Sequence, residues 1–168
     1  METKNLCDWH SEGTLVLSKQ NLACFAMAPS DLSNQEIAHL LLLGDKDFDP
    51  SLQCSLNINE YSEKLSQHAN SLLLYINDEI AGNVFYYVNH ILHFIYITHI
   101  NVYQKFRHGG YGHILIQQIK NMYSTHFNCI DLEVRKDNIY AYQFYLREGF
   151  VIKEHRSEKY LMTLSLPH

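Results

Sequence analysis

Residues Gln104 to His113 read Gln-Lys-Phe-Arg-His-Gly-Gly-Tyr-Gly-His, and their types and spacing suit the binding of phosphate. Gly109, Gly110 and Gly112 let the backbone turn so that its amides point at one spot. The next stretch, Ile114 to Tyr123, puts Leu115, Ile119 and Met122 on one helical face, so a helix opens at the glycines. The first N–H groups of a helix have no partner within it, and they carry the positive end of its dipole. Such a place binds anions. Lys105, Arg107, His108 and His113 add cationic or protonatable groups around it. No glycine here is followed by Lys-Ser or Lys-Thr, which excludes a P-loop. Leu115 stands three residues after Gly112, which excludes a dinucleotide fingerprint. Taken alone, the stretch also reads as a structural glycine turn.

A second group of candidates runs from Asp131 to Phe150. Asp131 and Glu133 alternate on a predicted strand and face the same side if it is regular. Asn138 stands at a helix start, where it can act as a cap. Ala141 and Tyr145 fall on one helical face, and spacing alone leaves Tyr145 as readily a core residue as a proton donor.

Arg107-x-x-Gly110-x-Gly112 opening a helix resembles [QR]-x-x-G-x-[GA], the pyrophosphate loop of the GNAT superfamily of acetyl-CoA-dependent N-acetyltransferases. The second group resembles the closing half of the same superfamily. Leu132-Glu133-Val134 lies on a strand, Asn138 opens a helix, Ala141 follows three on, Tyr145 four further, and Gly149-Phe150 closes. The two matches are independent and stand at the expected separation. The resemblance covers about residues 70–166. The earlier part is only generically similar, although Asn57 to Leu65 followed by Ala69 looks like a helix of GNAT enzymes found among polysaccharide-building proteins. The resemblance implies one mixed α/β domain over residues 1–168, with a central twisted sheet of about seven strands flanked by about four helices.

It also implies a reaction. Acetyl transfer from a thioester to an amine needs the cofactor held, the amine neutral, the carbonyl polarised, the oxyanion stabilised and the leaving thiolate protonated. In the resemblance, acetyl-CoA is the donor, with no metal. Amides from His108 through Gly109, Gly110, Tyr111 and Gly112 to His113, with Arg107 beside them, hold the pyrophosphate. Ile100, Asn101 and Val102 match the strand end that bulges from its neighbour in the family and pairs with the pantetheine arm, which Asn138 also reaches. Tyr145 becomes the general acid, since a phenol near pKa 10 and a thiol near 8.5 exchange a proton usefully. For the base, Glu133 matches the position used by N-terminal acetyltransferases of ribosomal proteins, twelve residues before the tyrosine. The histone-type glutamate position holds Tyr96 instead, which argues against that mechanism. His99 has a suitable ordinary pKa, and a water chain is the remaining choice.

These groups need elements to hold them. Thr14–Leu17 and Leu22–Phe25 alternate as short strands after a polar lead-in at residues 1–12. Ser33 and Glu36 form a capping box ahead of Ile37, Leu40 and Leu41, and Gly44 closes that helix. Acidic residues and Pro50 make Asp45 to Ser55 a loop. Asn57 and Glu60 start a second helix, with Ile58, Tyr61 and Leu65 on one face. A hairpin follows, Leu72–Ile76 and Ile80–Val88 about Asn77-Asp78, and Asn89-His90 then turns into a long strand, Ile91–Val102. After the glycine-headed helix come strand Ile130–Val134, helix Asn138–Arg147, and strands Phe150–Glu154 and Tyr160–Ser165.

Composition narrows the class. The chain has 168 residues, 46% of them hydrophobic, enough for a sizeable core. A net charge of −5 without basic runs argues against nucleic acid as a partner. The 11 His form no ligand-spaced set, so no metal site is expected. Cys7, Cys24, Cys54 and Cys129 are isolated and read as reduced thiols of a cytoplasmic protein. No apolar run suggests export or a membrane span. The acceptor is expected to meet residues 32–68 and the sheet face of Tyr86, Tyr87 and Asn89. Hydroxyl-tipped aromatics suit a small-molecule amine such as an amino or nucleotide-linked sugar, but equally a plain core. Asp45, Asp47 and Asp49 read as an attractant for a cationic amine or as a solvated loop. The Glu133/Tyr145 spacing favours a protein α-amine instead. A third reading is a GNAT domain that binds CoA without chemistry. Homodimers are frequent among such enzymes.

Overall fold

The computed structural model describes residues 13–48 and 51–167. The lead-in at 1–12 with Cys7, and Asp49-Pro50, lie outside the described residues. The described chain is a mixed α/β fold: strands β1 (Thr14–Lys19) and β2 (Leu22–Met27), helices α1 (Asn34–Leu43), α2 (Leu52–Ser55) and α3 (Ile58–His68), then β3 (Asn70–Ile76), β4 (Glu79–Asn89) and β5 (Phe94–Val102). Helix α4 (Tyr111–Tyr123), strand β6 (Cys129–Arg135), helix α5 (Ile139–Arg147), and strands β7 (Val151–His155) and β8 (Lys159–Ser165) complete it. Among the described residues eight strands form a mixed sheet in the order β1-β2-β3-β4-β5-β6-β8-β7. That is one strand more than expected, and the one-turn α2 is the additional helix.

The chain falls into two compact units. The first runs to Phe85 and resumes over His99–Leu115; the second comprises Tyr86–Thr98 and the chain from Ile116. In the first, β2 pairs antiparallel with β1 and β3. Leu72, Leu73 and Leu74 are all fully buried, so β3 has no wet face, which is why its sequence is a continuous apolar run rather than an alternation. Burying each such side chain stabilises by roughly 1.5–3 kcal/mol. The hairpin turn has Asn77 and Asp78 at φ 49° and 62°, the left-handed pair that a two-residue connection requires. Ser33 and Glu36 cap α1 reciprocally as expected. Gly44 ends α1 with φ −98°, an ordinary right-handed conformation, so its smallness rather than its freedom is used there. The expected loop at 45–55 contains a 3-10 turn at Asp45–Asp47 and α2. Tyr103, just past β5, donates its hydroxyl to Leu40 O at 3.0 Å and so ties α1 to the start of the glycine stretch.

In the second unit β6 pairs parallel with β5 and antiparallel with β8, which pairs with β7. Its core face carries Ile95, Ile97, Ile130, Leu132, Val134, Met162 and Leu164, all buried. Strand β5 starts three residues later than its apolar run predicts. Asn89 explains this, because its Oδ1 accepts from the N–H groups of Ile91 (3.1 Å) and Leu92 (2.8 Å) and holds them in the turn. Ile91 and Leu92 are consequently exposed. On α4 the buried positions are Leu115, Ile116 and Ile119, while Met122 of the predicted face is only half-buried.

Candidate active site

The glycine stretch begins with a 3-10 turn, Gln104–Phe106, and then leaves the ordinary regions of backbone space. His108 has φ 68° and Gly110 φ 77°. Nothing lies within 4 Å of a Cβ placed on Gly110, so this glycine is required by its backbone angle and leaves open space in front of it. A Cβ on Gly109 would lie 2.5 Å from the Tyr111 ring, so a larger residue there would push that ring aside. Gly112 is already inside α4, whose Ile114 N–H donates to Gly110 O at 3.2 Å. The side chains of His108 and His113 are exposed. Arg107 is anchored: its Nε donates to Val102 O at 3.0 Å, which occupies one of the β5-end carbonyls. Lys105 pairs with Glu79 at 2.5 Å. The result is a tight turn at a helix N-terminus, with Lys105 and Arg107 just before it.

Along β5 burial alternates, with Ile95, Ile97, His99 and Asn101 buried and Ile100 and Val102 half-buried. The parallel β5–β6 ladder runs from Phe94↔Cys129 to Ile97↔Leu132, although β5 continues to Val102. His99 sits between two rings, Phe48 at 5.4 Å and Phe85 at 5.8 Å between centroids. Burial pushes its pKa down to about 4, so at neutral pH it is uncharged and only a weak base.

The second unit holds the remaining candidates. Asn138 caps α5, its Oδ1 accepting from Ala141 N–H at 3.1 Å. Tyr145 is buried beside Phe144 and Phe150, with ring centroids 5.3 and 5.6 Å away. Burial raises the pKa of its hydroxyl, so it stays protonated at neutral pH and gives up its proton less readily than a free phenol. Glu133 is not a free carboxylate. It accepts from Arg156 Nη1 and, at 3.1 Å, from Lys159 Nζ. Its partial burial alone would raise its pKa, but the bonds and charges of Lys159 and Arg156 outweigh that and hold it below the usual carboxylate range. Asp131, which does share its face, is bound by Lys153 Nζ at 2.7 Å. Tyr96 lies opposite Asp131 across the ladder. Burial and the two carboxylates raise its pKa against the pull of Arg156.

Several residues expected near the acceptor have structural duties. Tyr86 is buried and shares a hydrogen bond with the Tyr123 hydroxyl at 3.2 Å, and Asn89 caps its turn. Asp45 is neither solvated nor an open attractant: it is buried and accepts from Gln53 N (3.2 Å) and Nε2 (2.7 Å). Asp49 lies outside the described residues. The clamps on Glu133 were missed because Arg156 and Lys159 stand 23 and 26 residues away in sequence. The β8 pairing opposite Glu133 was the only signal that could have suggested them.

The profile of the acetyltransferase (GNAT) family matches residues 37–150, and the chain belongs to that family. It is an acetyl-CoA-dependent acetyltransferase by class. No curated protein sequence matches it significantly. Among solved structures, PaiA N-acetyltransferase from Thermoplasma acidophilum in complex with coenzyme A is similar with TM-score 0.68 and 12% identity, covering 87% of this chain and 99% of that one. The ribosomal-protein-S18-alanine N-acetyltransferase from Escherichia coli aligns with TM-score 0.66 and 15% identity over 88% and 95%. Nourseothricin acetyltransferase aligns with TM-score 0.53 and 19% identity over 60% of this chain and 66% of that one. At these identities the likeness is one of fold. It spans enzymes named for a protein terminus and for a small molecule. No described helix is long and apolar enough to cross a membrane.

Proposed function

We propose that this acetyltransferase moves the acetyl group of acetyl-CoA to a primary amine of a small molecule, an amino or nucleotide-linked sugar being the first class to try. Attack is direct, with donor and acceptor bound together. The observation that carries the donor half is the turn at His108–Gly110 that opens α4. Amides from His108 to His113 and the Arg107 side chain take the pyrophosphate. The backbone of Ile100, Asn101 and Val102 takes the pantetheine arm, with Asn138 alongside. Tyr145 protonates the departing thiolate, although burial moves its pKa away from that of the thiol. Glu133, held ionised by two cations, is a weak proton acceptor unless substrate displaces them. His99 is weakened by burial. Deprotonation through water therefore fits best, with Glu133 ahead of His99 among the side chains.

The alternative is a protein α-amine, which the Glu133/Tyr145 spacing favours. The reading includes one functional domain, a cytoplasmic setting in keeping with the free Cys24, Cys54 and Cys129, and a homodimer that light scattering checks. The test is thiol release from acetyl-CoA with glucosamine, cyclohexylamine and trialanine as acceptors. Turnover of the sugar amine supports the proposal. Turnover of the peptide alone replaces it with the alternative, and turnover of none, with acetyl-CoA bound, leaves a CoA-binding domain.

A further inference from the structure

Buried amide side chains normally find partners, because an unpaired one loses its hydrogen bonds to water without replacement. In the first unit two do not. Asn83 on β4 is 0% exposed and neither its Nδ2 nor its Oδ1 has a hydrogen-bond partner. Asn101 on β5 is 7% exposed and its Nδ2 is likewise unpartnered. The strands run side by side here, Tyr103 N–H donating to Ala81 O at 2.9 Å and a Cβ on Gly82 lying 2.6 Å from Asn101 O. Alternation puts Asn83 on the face of Phe85 and Asn101 on that of His99, and those two rings touch. A short segment covers Asn101 and His99. Asn101 Nδ2 fills the space where Gly44 would carry a Cβ, and Phe48 packs on His99.

A sequence that only needed to fill this space would use leucine, which costs nothing in lost hydrogen bonds. Retaining the unpaired Asn83 amide and the unpaired Asn101 Nδ2 between aromatic walls makes sense if something supplies their partners during function. We infer that Asn83 and Asn101 are the acceptor-recognition pair, hydrogen-bonding an uncharged hydroxyl or amide group of the amine substrate when the Gly44–Phe48 segment lifts away. This rests on the small-molecule reading above and sharpens it. The two groups that would meet the substrate are uncharged amides, and the oxygens of the neighbouring Asp45 already accept from Gln53. The pair therefore selects a polyhydroxylated amine over an alkyl amine of similar size.

Two variants test this. Asn83→Leu removes one amide while keeping the volume. Gly44→Ala keeps an ordinary backbone angle but pushes the Asn101 amide aside. The readout is kcat/KM for glucosamine relative to cyclohexylamine, with KM for acetyl-CoA and Tm measured in parallel. In both variants we expect glucosamine preference to fall about tenfold or more through a higher KM for the sugar, acetyl-CoA KM to stay level, and Tm of Asn83→Leu to hold or rise. An unchanged preference in Gly44→Ala and in any folded Asn83→Leu overturns the inference and leaves the amides to buried water. A wild-type enzyme that acetylates neither amine overturns the small-molecule reading itself, and this inference with it.

Discussion

Tyr145 and His99 are both buried, and burial acts on them in opposite ways. For a phenol the charged form is the deprotonated one, so burial strengthens the hold on the proton; for an imidazole it is the protonated one, so burial weakens it. With Tyr145 as the proposed proton donor, Tyr145→Phe should lower kcat by about 10²–10⁴-fold while KM for acetyl-CoA stays near wild type. Steady-state kinetics with the acceptor saturating decide this, and an unchanged kcat removes Tyr145 from the mechanism. His99 makes a prediction about stability. Its folded pKa of about 4 lies below the ordinary value of about 6.5, so between them the unfolded chain binds the extra proton. Stability then falls as pH drops through that window, by roughly 3 kcal/mol in all. Urea unfolding at pH 7, 5.5 and 4 should show this loss, and His99→Phe should flatten it. Equal slopes in both proteins would mean His99 is not buried in its neutral form.

At the level of elements, the turn that opens α4 was legible because it depends on neighbours in sequence. Glycine is the residue that adopts φ 77° without strain, and the helix after it follows from local periodicity. Gly110→Glu adds backbone strain and a negative charge at the proposed phosphate site, so KM for acetyl-CoA should rise at least tenfold. Gly110→Asn, which tolerates the left-handed region better and brings no charge, should lose much less. Similar losses in both would point to strain alone, and an unaltered KM in Gly110→Glu would remove the loop from the donor site. Capping by Ser33, Asn57 and Asn138 was equally readable, since each cap bonds within three residues of itself. The start of β5 was not readable, because Ile91 and Leu92 are apolar enough for a strand and only the Asn89 bonds keep them in the turn.

For the whole molecule the donor reading has a direct thermodynamic consequence. Acetyl-CoA at about 100 times its dissociation constant adds roughly 2.7 kcal/mol to the folded state. For a chain of this size that raises Tm by roughly 5–10 °C, measurable by scanning calorimetry. No shift in a folded sample would contradict donor binding. The family, the mixed α/β class and the glycine turn ahead of α4 were present in the sequence by itself, because each rests on short-range spacing: Arg107 to Gly112, and Glu133 through Asn138 to Tyr145. The charge state and accessibility of the candidate groups were not. Glu133 is clamped by Arg156 and Lys159, His99 lies between Phe48 and Phe85, and Asp45 is consumed by Gln53. The unpaired amides of Asn83 and Asn101 look in sequence like any polar residues in a strand. Burial and partnership come from chain segments that only folding brings together, so tertiary structure alone decided which of these side chains has a hydrogen bond left to offer a substrate.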